Sequence, residues 1–120
     1  MAVTLLSATT MMAHGQPPKE IAELVGTAST GSDDISVALM RSPAGWTEPA
    51  QVTDFDETTV VVEGVLTVHT DAGTIDVPAG SGVHVPAGER VRYATAEPAT
   101  YVAICRPAFR PDRLRRDPVG

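Results

Sequence analysis

The 120-residue sequence has little cysteine, few aromatic residues and no long apolar run. A single cysteine, Cys105, cannot form a disulfide within the chain, so the cysteine content does not indicate an oxidising compartment. No stretch is long enough to cross a membrane as an apolar helix. The opening segment MAVTLLSATTMMAHG lacks a basic n-region and its apolar run is interrupted by Ser and Thr, so it is not expected to be a signal peptide. These absences predict a soluble cytoplasmic protein.

Positive charge is also scarce, except at the C-terminal end. The net charge is −6, which disfavours binding to nucleic acid, because such binding depends on neutralising phosphates. Acidic residues outnumber basic ones over residues 1–105, whereas the last fifteen residues carry Arg106, Arg110, Arg113, Arg115 and Arg116 against two aspartates. The interpretation favoured for this basic tail is a solvated terminus. The alternative is a tail that docks on acidic side chains of its own chain or of a partner.

Glycine and proline, ten of each, divide the rest of the chain into short segments. Runs such as TTVVVEG, VLTVHT, RVRYAT and TYVAICR are rich in β-branched residues and are separated by turn sequences such as DAG and PAGE. This pattern predicts seven or eight short strands in one all-β domain, either a sandwich or a jelly-roll barrel. AVTLL (residues 2–6) is a possible first strand, and KEIAELVG fits either a helical turn or a strand.

Two patterns of regularly spaced residues contain pairs of glycines. The first consists of Gly45, Gln51, Thr53, Glu57 and Gly64, and the second of Gly80, Pro86, Gly88, Val91 and Thr95. In spacing they resemble the two motifs of the cupin superfamily. The segment VPAGERVRYATAEPATYVAICRPAF is further similar to cupins of the ethanolamine-utilisation type. The resemblance implies a single-domain jelly-roll barrel over residues 36–109, preceded by an N-terminal strand or loop arm (1–35) and followed by the basic tail (110–120).

The metal ligands of the superfamily are mostly replaced. Three of the four ligand positions hold Gln51, Thr53 and Val91, and only Glu57 keeps a side chain that binds first-row metals well. The histidines His14, His69 and His84 lie elsewhere and show no paired spacing. We therefore expect no catalytic metal and no cofactor.

If the barrel geometry holds, the same positions line a small-molecule pocket. Glu57 is the candidate general acid or base and Tyr93 its candidate hydrogen-bond donor. The candidate substrate-binding residues are Gln51, Thr53, Thr59, Val91, Trp46 and Tyr101. Simpler roles remain open: Glu57 bonded to a strand neighbour or lying at the barrel mouth, Tyr93 and Trp46 packed in the core, and Cys105 an inert buried thiol.

Three kinds of function are compatible with this pattern. The first is a metal-independent enzyme, of the isomerase, lyase or cyclase type, that moves a proton beside a carbonyl group. The second is a non-catalytic cupin that senses or carries a small molecule, because one carboxylate and one phenol are few groups for a catalyst. The third is a structural or interaction protein. The resemblance also implies a homodimer, which the apolar residues on both faces of TTVVV and TYVAIC favour.

Overall fold

The computed structural model describes residues 3–13 and 15–118, so His14 lies outside the described residues. The described chain is almost entirely β, with one short 3₁₀ turn at Pro111–Arg113. No helix among these residues is long and apolar enough to cross a membrane. The strands are β1 Thr9–Ala13, β2 Lys19–Val25, β3 Ser36–Ser42, β4 Trp46–Thr47, β5 Gln51–Thr53, β6 Asp56–Glu63, β7 Val65–Thr70, β8 Gly73–Pro78, β9 Gly82–Val85, β10 Arg90–Thr95, β11 Ala99–Arg106 and β12 Leu114–Arg116.

These strands form two six-stranded sheets. The first has the order β1-β2-β3-β11-β6-β9, and the second has the order β12-β5-β10-β7-β8 with β4 also paired to β10. Neighbouring strands are antiparallel throughout the described residues. Non-consecutive neighbours such as β3, β11 and β6 give the crossed connections of a jelly roll. The predicted all-β barrel or sandwich is confirmed.

The core lies between the two sheets because each central strand turns alternate side chains inward. In β11, residues 99, 101, 103 and 105 are buried while those between them are partly exposed. Leu66 and Val68 of β7 are completely buried and meet Val61 and Tyr101 of the first sheet in one apolar cluster. Towards β1 and β2 the space between the sheets is not filled, and it remains as a cavity.

The N-terminal segment contradicts one prediction from the sequence and decides between the two structures left open for KEIAELVG. Residues 3–6 are not a strand, so the prediction of a strand at AVTLL is wrong for these residues. Val3 and Leu5 are 98% and 93% exposed, and neither pairs with a strand of the described part of the chain. KEIAELVG is strand β2, which pairs with β1 on one side and β3 on the other. Pairing on both sides fixes an extended backbone that the local sequence leaves undecided.

The basic tail is docked on the body of its own chain, so the favoured interpretation of a solvated terminus is wrong. Strand β12 pairs with β5. The tail arginines meet acidic side chains that are far away in sequence: Arg110 and Arg113 meet Asp33, Arg115 meets Asp54, and Arg116 meets Glu48. Asp117 pairs with Arg90. The first two strands thus extend one sheet, and the last strand, β12, extends the other.

Candidate functional site

The cavity has a volume of about 210 Å³ and takes side chains from both sheets. Its apolar wall comes largely from Met11, Ile21, Met40, Leu66 and Phe55. The polar side chains on it are Lys19, Glu23, Ser36, Glu48, Gln51, Glu57, Thr59, Tyr93, Tyr101, Cys105 and Arg116. A mostly apolar cavity with a few convergent polar groups is the usual form of a small-molecule site.

Glu57 lies at the centre of one cluster of polar side chains in the cavity. It lies on β6 directly opposite Cys105 of β11 and is 8% exposed. The Tyr93 hydroxyl donates a hydrogen bond of 2.6 Å to Glu57 Oε1, and the Cys105 thiol donates a longer one of 3.5 Å to Oε2. Both carboxylate oxygens are therefore hydrogen-bonded inside the protein.

The two donors to Glu57 remain protonated. Burial, reinforced by the charge of Glu57, raises the pKa of Tyr93 well above its usual value of 10.0. Burial and the same carboxylate also raise the pKa of the Cys105 thiol far above its normal range. Tyr93 is thus a hydrogen-bond donor at neutral pH, and Cys105 is not a thiolate nucleophile.

A second cluster of polar side chains surrounds Tyr101, which lies four residues before Cys105 on β11. The Tyr101 hydroxyl shares a 2.8 Å hydrogen bond with Ser42 Oγ and accepts a 3.5 Å one from Lys19 Nζ. Lys19 Nζ also lies 4.5 Å from the centre of the Trp46 ring, within the range of a cation–π contact. Burial raises the pKa of Tyr101, against the opposing effect of the Lys19 charge.

The remaining carboxylates of the cavity already have partners. Glu48 is buried and accepts a hydrogen bond of 3.0 Å from Arg116 of the docked tail. Glu23 accepts hydrogen bonds from the backbone N–H groups of Ala28 and Ser29 at 3.0 and 2.8 Å. Glu48 and Glu23 thus hold the tail strand and the loop after β2 in place.

The cavity includes five of the predicted site residues and omits three. Glu57, Tyr93, Gln51, Thr59 and Tyr101 line it. The side chains that do not line it are Thr53, whose hydroxyl donates to the Phe55 carbonyl at 2.7 Å, and Val91 and Trp46, which both pack in the apolar core. The functional roles of all eight remain predictions.

Three charged residues of the cavity were not predicted from the sequence: Lys19, Glu48 and Arg116. A signal for Lys19 was present: if KEIAELVG is read as a strand, Lys19 and Glu23 share a face with the apolar Ile21, and all three line the cavity. Arg116 carries no such local signal, because its position depends on the pairing of β12 with β5.

The described residues do not supply a site for the metal that the superfamily motif holds. Val91 has no donor atom, the Thr53 hydroxyl is used by a backbone carbonyl, and Glu57 is engaged by Tyr93 and Cys105. Within residues 3–13 and 15–118, no group of three or more His, Cys, Asp or Glu is arranged to hold a metal ion. His69 and His84 bond to threonines on exposed strand faces, at Thr74 and Thr58.

Two antiparallel sheets with a cavity between them are the architecture of a cupin, and the family match below confirms the superfamily predicted from the two motifs. Residues 9–110 match the family model of ethanolamine utilisation protein EutQ. The chain belongs to this family, and the predicted similarity to the ethanolamine-utilisation type is confirmed.

A curated relative and two solved structures are also similar. An endoribonuclease YbeY from Myxococcus xanthus (strain DK1622) is 43% identical over 96 residues, which are 78% of this chain but only 33% of that protein. The chain thus spans about a third of the relative's length. The polyketide cyclase RemF from Streptomyces resistomycificus superposes with a TM-score of 0.78 at 18% identity, covering 100% of this chain and 88% of that one. A PAC13 variant from Streptomyces, solved with uridine, gives 0.76 at 16% identity, covering 93% and 86%. At these identities the two structures show the fold.

Proposed function

We propose that this cupin acts on a small organic molecule by acid–base chemistry in its cavity, without a bound metal. The observation that carries the proposal is the Glu57–Tyr93 pair, in which a buried carboxylate lies 2.6 Å from a buried phenol on the wall of an apolar cavity. Such a pair suits reactions of the isomerase, lyase or cyclase type that remove a proton from a carbon beside a carbonyl group.

Each residue has a separate role in this proposal. The Glu57 carboxylate takes the proton from the carbon, and the electron pair left behind moves onto the carbonyl oxygen as an enolate. Tyr93, which stays protonated, donates its hydrogen bond to that oxygen and stabilises the developing charge. Without a ligand the Tyr93 hydroxyl donates to Glu57, so a ligand oxygen that accepts this bond also frees Oε1 to receive a proton.

The comparisons support a small-molecule function. RemF is named as a polyketide cyclase, and PAC13 was solved with uridine, so cupins of similar shape accept small organic molecules. The name of the Myxococcus xanthus relative refers to a protein of which this chain covers 33%. We do not extend ribonuclease activity to this chain, because a net charge of −6 disfavours binding to a phosphate backbone.

A non-catalytic sensor or carrier is the second candidate. It is favoured by the small number of free acid–base groups, since Glu48 and Glu23 are committed to protein partners and Cys105 remains a thiol. This candidate uses the same cavity. It predicts that a bound metabolite is recovered chemically unchanged.

The proposal also includes the oligomeric state and the cellular location of the protein. We propose a cytoplasmic homodimer that buries the outer face of the first sheet, where Val60 and Val62 of β6 are exposed. A monomeric mass by light scattering at micromolar concentration would contradict the dimer.

The test detects proton removal without knowledge of the product. The protein is incubated in deuterium oxide with a panel of small ketones and keto acids, and exchange beside the carbonyl is followed by proton NMR. Glu57→Gln is expected to lower the exchange rate about a hundredfold or more. The matched control is Glu63→Gln on the same strand, an exposed carboxylate outside the cavity, which should change the rate less than about twofold. Equal exchange by Glu57→Gln and the unmodified protein would refute the mechanism.

A further inference from the structure

Lys19, the only lysine of the chain, is 7% exposed and has few partners for its charge. An ammonium group offers three N–H donors. Among the described residues, the only hydrogen bond of Lys19 Nζ is the 3.5 Å contact to the Tyr101 hydroxyl, and no acidic side chain forms an ion pair with it. Its other close neighbours are the faces of the Trp46 and Tyr101 rings, at 4.5 and 5.6 Å.

A buried cation with unused donors is unfavourable unless an anion completes its surroundings. The carboxylates that line the same cavity do not supply this anion, because each is bonded to another group. Glu48 is bonded to Arg116 and Glu23 to backbone N–H groups. Glu57 is bonded to Tyr93 and Cys105, and among the described residues it forms no ion pair with Lys19. The missing anion is therefore expected to come with the ligand.

We propose that Lys19 binds the carboxylate of an apolar monocarboxylic acid in the cavity, with the Tyr101 hydroxyl beside it. A single charge on the ligand is favoured because two cations line the cavity and one of them, Arg116, is already paired with Glu48, which leaves Lys19. The wall also has apolar residues such as Ile21 and Met40. A phosphate dianion is usually held by more donors than one lysine and one hydroxyl. The inference rests on the proposed function in that both place a small molecule in this cavity. It narrows the substrate to a keto acid whose carboxylate binds at Lys19 and whose reacting carbon reaches Glu57.

The test compares an acid with its neutral analogue. Isotope-labelled protein is titrated with hexanoate, with hexanamide and with inorganic phosphate at constant ionic strength, and binding is followed by NMR chemical shifts. Hexanoate is expected to bind more tightly than hexanamide and to shift signals of β2 and β11. Lys19→Met, which keeps the length and packing of the side chain, should weaken hexanoate binding about tenfold or more and leave hexanamide binding nearly unchanged.

Two further variants make the result specific. Arg41→Met removes an exposed positive charge outside the cavity and should leave hexanoate binding unchanged, whereas Lys19→Arg should retain most of it. Equal binding of hexanoate by Lys19→Met and the unmodified protein would overturn the inference, as would phosphate binding more tightly than hexanoate at the same residues. Glu57→Gln separates the two proposals: it should retain hexanoate binding while losing proton exchange. A failure confined to Lys19 therefore leaves the acid–base proposal standing.

Discussion

The hydrogen bond between Tyr93 and Glu57 predicts a measurable energetic coupling between these residues. Tyr93→Phe removes the 2.6 Å donor to Glu57, leaves the 3.5 Å contact from Cys105, and should lower the free energy of unfolding by about 1.5–3 kcal/mol. Glu57→Gln keeps an oxygen that can accept from Tyr93 and removes a buried charge, so it should change stability by less than about 1 kcal/mol. In Glu57→Gln the bond to Tyr93 is no longer charge-assisted. Tyr93→Phe should then cost about 1–2 kcal/mol less than in the unmodified protein.

Urea unfolding of the two single variants and the double variant measures this coupling directly. Tyr101→Phe is the matched control, because it removes a buried phenol that bonds to Ser42 and Lys19 and shares no partner with Glu57. Its effect should add to that of Glu57→Gln within about 0.5 kcal/mol. A coupling between Tyr93 and Glu57 below about 0.5 kcal/mol would refute the view that this bond is a strong, charge-assisted one.

Two further predictions concern the docked tail. Arg116→Ala leaves the buried Glu48 without its cation and should lower the free energy of unfolding by about 2–3 kcal/mol. Arg115→Ala breaks an exposed ion pair with Asp54 and should have no measurable effect on that free energy. Equal effects of the two variants in urea unfolding would contradict this prediction. Hydrogen bonds from Arg113 and, to a lesser degree, Arg110 hold the pKa of Asp33 below its usual 3.8. The contribution of Asp33 to the free energy of unfolding is therefore fully present above pH 3.8, and it is lost as the pH falls through the lower pKa of the folded state. Asp33→Asn should therefore make the loss of stability between about pH 5 and pH 2 shallower, and identical acid profiles would show that the pair does not contribute.

Most of the fold could be predicted because strand sequences and turn residues act locally. TTVVVEG, VLTVHT and TYVAICR form strands where the β-branched runs place them, and Gly64 turns the chain between β6 and β7 with a φ of +79°. Two N-terminal segments are exceptions, because their local sequence does not fix the backbone conformation. Residues 3–6 have strand-forming side chains, but among the described residues they pair with no other strand. KEIAELV becomes a strand because β1 and β3 flank it.

The candidate site was predictable to a lesser extent. Motif spacing and strand alternation bring Glu57, Tyr93 and Gln51 to the cavity, since both rules describe which face a residue occupies. They do not tell how far a side chain lies from the cavity on that face. Thr53 and Trp46 face inward too, yet Thr53 bonds to a backbone carbonyl and Trp46 packs in the core.

Composition, turn residues and motif spacing predict an all-β cupin in which the usual metal ligands are replaced, because these features are properties of short segments. Which charged side chains meet could not be predicted in this way. The docking of Arg116 on Glu48 spans 68 residues, and the contact of Lys19 with Tyr101 spans 82. Such contacts depend on the order in which strands pair across the two sheets, and no local pattern encodes that order.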